Sequence, residues 1–199
     1  MNARKTMPRK RDPRLEVRDW SKVPRHLKLS INLIPRPLHR RNLRVALGDR
    51  WRPFADKIKR ERGPLCEICG AFPATASDCH AHEEWSYDEH AHPSVAKLER
   101  IAIVCSKCHS VEHFTNTGIR WREGKLSGEQ FAAIRSHFYV VNGIDANELP
   151  WYLDYHYEHA QQIEQRRSMW LWRIDFGEFA SMLSSVEIER MQPNAGTLR

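Results

Sequence analysis

Cys66-Glu67-Ile68-Cys69 and, after 35 intervening residues, Cys105-Ser106-Lys107-Cys108-His109-Ser110-Val111-Glu112-His113 decide how this chain is read. Two Cys-x-x-Cys pairs supply four thiolates, the number that closes a tetrahedral zinc site, and each pair delivers two ligands from one turn. The spacing therefore predicts a structural zinc site at Cys66, Cys69, Cys105 and Cys108. His109 and His113 are left over. They stand four apart on a helix expected over 106–114, so both imidazoles project from the same side of it. Between the pairs lies Cys79-His80-Ala81-His82-Glu83-Glu84-Trp85. His80 and His82 are two apart and share one face if this stretch is a strand. Four imidazoles then converge where strand meets helix, and with the thiols committed elsewhere they suit a divalent cation with open coordination positions. The competing arrangement puts His109 or His113 into the zinc site in place of a cysteine. Cys79 has no pair and reads as a core thiol.

Working outward, a first strand is expected over 78–87 and a second over 97–104, with a polar loop between them that includes His90 and His92. The order is strand, strand, helix. Upstream, Trp51, Phe54, Ala55 and Ile58 recur at spacings of three and four, which predicts a basic helix over 50–62 stopped by Gly63-Pro64. Residues 42–47 form a short helical turn, and Pro35 and Pro37 keep 29–38 extended. Downstream, Ser127 with Gln130 makes a capping box ahead of Phe131, Ile134 and Phe138, and Asn142-Gly143 ends that helix. A second helix is expected from about Pro150 to Ser168 and a third over 177–190. The stretch after Trp170 reads as apolar and irregular.

At 199 residues the chain is long enough to bury a real core. Its mean hydropathy of −0.66 and 29% charged residues describe a soluble protein. No apolar run is long enough for a membrane span, and the first residues have no signal-like apolar core. A cytoplasmic location follows, where cysteines stay reduced and paired Cys-x-x-Cys motifs bind metal more often than they form disulfides. The net charge is +7, unevenly distributed: residues 1–63 hold 20 of the 32 Lys and Arg but only 6 of the 25 acidic residues. Such asymmetry points to a polyanionic partner met by the N-terminal third. Arg52, Lys57, Lys59, Arg60 and Arg100 are the candidate nucleic-acid contacts, through phosphates more than bases.

The segment CEIC…CHAHEEW…IVCSKCHSVEH resembles the zinc-knuckle branch of the HNH, or ββα-metal, endonucleases, and SINLIPRPLHRRNLRVAL with the helix after it is similar to bacterial members. Similar modules occur in anti-phage effectors. The resemblance, which spans about residues 29–120, implies a zinc-stapled ββα core over 64–120. With the composition and patterns above, the expectation is an α+β fold that adds a basic, mobile arm over 1–28, a basic extended and helical segment over 29–63, and a helical C-terminal cover over 121–199. It implies DNA phosphodiester hydrolysis with Zn2+ as the structural ion and Mg2+, Mn2+ or another divalent cation as the catalytic one. It also implies that His109 binds that cation with His113 as its partner, that His82 is the general base, and that His80 is a third ligand or a phosphate contact. Two positions depart from the family pattern: Arg100 stands where its middle Asn is usual, and Ala81 where an acid or His precedes the base. Which of His80 and His82 is the base stays open. Partners would be DNA, with a homodimer or a larger defence or phage assembly as context. The alternative is a zinc-dependent nucleic-acid-binding protein without catalysis.

Overall fold

In a computed structural model, the chain is described over residues 20–193 apart from 74, 76 and 77. Among the described residues, two α-helices and three short 3-10 turns precede the sheet. Helix α1 (Leu43–Leu47) begins at Asn42, whose Oδ1 accepts the Val45 N–H at 2.9 Å. Helix α2 (Trp51–Arg62) buries Ala55 and half-buries Trp51, Phe54 and Ile58 along the expected stripe. Gly63 ends it at φ 78°, in the left-handed region where a side chain is strained.

Strands β1 (Cys79–Asp88) and β2 (Ser94–Cys105) pair antiparallel, with His82 opposite Ala102 and Cys79 opposite Cys105. A bulge falls between Glu84 and Trp85, because Glu84 pairs with Arg100 but Trp85 with Leu98. The extra residue on β2, Glu99, shifts that strand's alternation. Ile101 on one side of the bulge and Leu98 and Ala96 on the other thereby join the same apolar cluster. Helix α3 (Ser106–Glu112) follows β2 without a break, giving the order strand, strand, helix.

Helix α4 (Phe114–Arg122) continues from α3 through a kink at His113, and α5 (Gly128–Asn142) starts at the Ser127–Gln130 capping box. Gly143 ends α5 at φ 65°. Helix α6 (Tyr152–Arg167) is followed by β3 (Trp172–Asp175), which lies parallel to the start of β2 and makes the order β1–β2–β3. The stretch expected to be irregular thus contains a strand. The helix expected over 177–190 divides into a 3-10 turn, Gly177–Met182, and α7 (Ser185–Met191), which has its own capping box at Ser184 and Glu187.

Two apolar clusters flank the sheet. One joins Ala102 and Val104 to Val111, Phe114, Ile134, Phe138 and Leu153, together with Leu29 and Ile31 from far upstream. The other joins Ala96, Leu98 and Ile101 to Leu43, Leu47, Trp172, Ile174 and Phe176. The early segment is laced to the C-terminal helices. Asn142 accepts the Leu29 N–H at 3.1 Å and donates to Leu29 O at 2.8 Å, and His156 Nε2 accepts the Ile31 N–H at 3.1 Å. Residues 1–19 of the expected basic arm lie outside the described residues. Its remainder is docked: Val23 and Leu27 pack on the first cluster, and Lys22 pairs with Glu148 at 3.0 Å. Among the described residues no helix is long and apolar enough to cross a membrane.

Candidate metal centres

The first knuckle is a turn in which the Gly70 N–H donates to Cys66 O and the Cys66 N–H donates to Ala71 O, each at 2.9 Å. Gly70 adopts φ 73°, the left-handed geometry that curls the backbone around the thiols. Glu67 pins this turn to β2: its N–H donates to Ile103 O and its Oε1 accepts the Ile103 N–H, both at 2.9 Å. The second knuckle forms at the junction of β2 and α3, where Cys105 Sγ accepts the Cys108 N–H and so caps the helix. All four Sγ atoms lie within 4.8 Å of one another, and all four cysteines are free.

Crowded thiols cannot all ionise without a cation. Hydrogen bonding from Cys108 holds Cys105 down to about 3, while the same contact, then burial, drives Cys108 far up. Burial raises Cys69 to about 11. A bound divalent ion removes that mutual penalty, and four cysteines in this arrangement are the donor set for a metal such as zinc. Cys79 stands apart, buried, with its thiol donating to Pro64 O at 3.4 Å. His137 on α5, which no spacing singled out, brings Nε2 to 3.2 Å from Cys108 Sγ.

A second donor set forms one helical turn further on. His82 of β1, His109 of α3 and His113 at the kink offer ring nitrogens within 4.8 Å of one another. The rings meet edge to face, with centroids 5.4 Å apart for His82–His109, 5.1 Å for His82–His113 and 4.6 Å for His109–His113. Burial dominates their protonation, with the neighbouring imidazoles adding to it. His82 is pushed down to about 3 and His109 to about 2, and His113 is also lowered. The three are neutral at pH 7, the state in which imidazole binds metal.

His80 is close but outside this set. It stacks on His109 at 4.4 Å with the rings 5° from parallel, and its Nε2 lies 3.0 Å from Ser106 Oγ. Ser106 donates its own hydroxyl to Asp78 O, so its oxygen accepts the His80 Nε2 proton and leaves Nδ1 open.

Glu112, which sequence reasoning did not single out, carries a buried carboxyl whose Oε2 has no hydrogen-bond partner yet lies 3.2 Å from His82 Nε2. Burial, then Glu84, raises this carboxyl to about 8. An orphaned carboxyl oxygen beside one of three neutral, mutually close imidazoles is donor chemistry that fits a divalent ion. Glu83, the residue after His82 on β1, is partly buried. Its carboxylate accepts the N–H groups of Leu43 and Arg44 at 3.1 and 2.9 Å and the Trp85 indole N–H at 3.0 Å, fixing α1 against β1.

The imidazoles face a cleft of about 160 Å³ lined also by Asn32, Arg44 and Trp51. Arg44 is exposed, and its charge helps depress His109. Arg100, by contrast, is committed: it makes a two-pronged pair with Glu84 at 2.7 and 2.8 Å and a further pair with Glu67. It joins the first knuckle to β1. Lys57 and Lys59 on α2 pair with Glu61 and Asp56 at 3.8 and 2.8 Å, and Arg52 and Arg60 point to solvent. His90 and His92 are exposed in the β1–β2 loop, outside both donor sets. No protein-family model, curated protein or solved structure matches the chain.

Proposed function

We propose that this chain is a zinc-stapled, divalent-cation-dependent endonuclease that hydrolyses DNA phosphodiester bonds, as its HNH-like motif implies. The observation that carries the reading is the convergence of His82, His109 and His113 on an open cleft, one turn from a complete four-thiol set. Three imidazoles with room beside them leave coordination positions free, as catalytic sites do and closed structural sites do not. His82, His109 and His113 would hold the cation, and an all-imidazole set favours a transition metal such as Zn2+ or Ni2+ over Mg2+, which prefers oxygen. When bound, the cation neutralises charge on the attacked phosphate and on the departing oxygen.

The chain's own groups supply the rest. Arg44, at the cleft mouth, binds a non-bridging phosphate oxygen through charge-assisted hydrogen bonds. His80 is neutral at pH 7, because burial lowers it below the ordinary histidine value. Its Nδ1, left open by the Ser106 contact, takes the proton from the attacking water. In this reading His82 serves as third ligand and His80 as base, the reverse of the roles the resemblance implies. Exposed Arg52 and Arg60 on α2 extend phosphate contact beyond the scissile bond.

Supercoiled plasmid incubated with zinc-loaded protein, with and without added cation, tests the reading. Cation-dependent nicking should fall by about 10²–10⁴-fold in His80→Ala and disappear in His109→Ala. Wild-type protein that retards DNA but leaves it intact with every cation tried would establish the non-catalytic binding module instead.

A further inference from the structure

A buried acid next to a histidine centre needs a reason to be there. Glu112 is 5% exposed. It lies three residues after His109 and directly before His113, so α3 turns it toward the same region as the imidazoles. Its Oε2 finds no hydrogen-bond partner, and no Lys or Arg forms an ion pair with it among the described residues. Arg100 is held by Glu84 and Glu67. An apolar side chain, like the neighbouring buried Val111, would fill such a position without desolvating a carboxyl. Glu112 Oε2 lies 3.2 Å from His82 Nε2, the one ion-pair partner it has among the described residues.

We infer that Glu112 is a positioning residue of the imidazole centre, accepting the Nε2 proton of His82 and thereby presenting Nδ1 of that ring to the cation. The inference rests on the reading of the three imidazoles as a cation site. The mutually close donors are the three imidazoles and do not include Glu112, whose carboxyl instead approaches the Nε2 side of His82. A metal-ligating histidine is commonly fixed by a carboxylate or carbonyl on its other nitrogen, which sets the tautomer and raises ring basicity. The cation in turn draws density from the ring and strengthens its N–H as a donor. Glu112 holds its place on α3 for the cation and not for packing.

The test uses the full chain with its four-thiol site already zinc-loaded and Zn2+ as the added probe. Long-range proton–nitrogen NMR of the histidine rings should show His82 bound through Nδ1 and protonated at Nε2. Calorimetric titration should show the second Zn2+ weakened by about 10- to 100-fold in Glu112→Gln and Glu112→Leu, with the first zinc and the melting temperature retained. His82 bound through Nε2, or second-site affinities within twofold of wild type in both variants, would overturn the inference while leaving the cation site standing. A wild-type chain that takes up no second Zn2+ would overturn it together with the proposed function. Should a variant fail to fold, the ring-nitrogen assignment in the wild type decides alone.

Discussion

The thiol set and the imidazole set share helix α3, yet they are built to opposite ends. The thiols gather at its N-terminal turn, where Cys105 caps the helix and Cys66 and Cys108 are buried against the first apolar cluster. His109 lies further along α3, His113 at the kink that ends it and His82 opposite on β1, and all three face a cleft with Arg44 and Asn32. Four soft donors that fill a tetrahedral set among themselves make a staple. Three neutral nitrogens facing a cleft make, in the proposed function, the place for chemistry. A nine-residue stretch, Cys105 to His113, thus serves both, and the helical repeat keeps the two sets apart.

The largest effect should come from breaking the staple. A structural zinc in small domains contributes on the order of 10–16 kcal/mol, comparable to the roughly 5–15 kcal/mol that holds a whole domain together. Cys108→Ser should lose zinc and its cooperative thermal transition, as followed by circular dichroism. If that variant melts like wild type, the contrast between the two sets collapses. His113→Ala should leave the staple and the melting curve intact while lowering cleavage by about 10²–10³-fold, read from plasmid nicking at saturating cation.

Arg44→Ala addresses a single charge-assisted contact, worth about 1.5–3 kcal/mol, so kcat/KM should fall roughly 10- to 100-fold with cation affinity retained. Unchanged kcat/KM would remove Arg44 from the phosphate site. The smallest effect belongs to α2. Arg52→Ala and Arg60→Ala should weaken DNA binding at low salt only, each reducing the salt-dependence slope by about 1, as measured by fluorescence anisotropy across a salt series. A slope equal to wild type would confine DNA contact to the cleft.

What the sequence disclosed was what depends on near neighbours. The Cys-x-x-Cys turns, the Ser127–Gln130 cap and the Gly63 and Gly143 stops each involve residues within one or two turns, so their signatures are local. β3 is legible only with its partner: Trp172–Asp175 is too short to show a period, and it becomes a strand by pairing with Ser94–Lys97. α4 carries Thr115, Asn116, Thr117 and Gly118, weak helix formers, and is held by Phe114 and Thr117 buried in the structure. The same distinction runs through the centre. Spacing placed His109 and His113 on one side of a helix, and alternation placed His80 with His82. Separating His80 from the other three required the Ser106 contact. Glu112 and Arg44 look like any surface residue until the fold buries one and turns the other to the cleft. Arg100, expected at phosphate, is taken by Glu84 and Glu67, acids 16 and 33 positions away.

Brief chelation of the folded protein, followed by metal counting on the intact chain and a plasmid assay on the same sample, tests the division most directly. The account predicts that one zinc stays, the fold persists, cleavage stops, and added divalent cation restores it. Loss of all metal together with the fold, or cleavage that continues with only the four-thiol zinc in place, would contradict it.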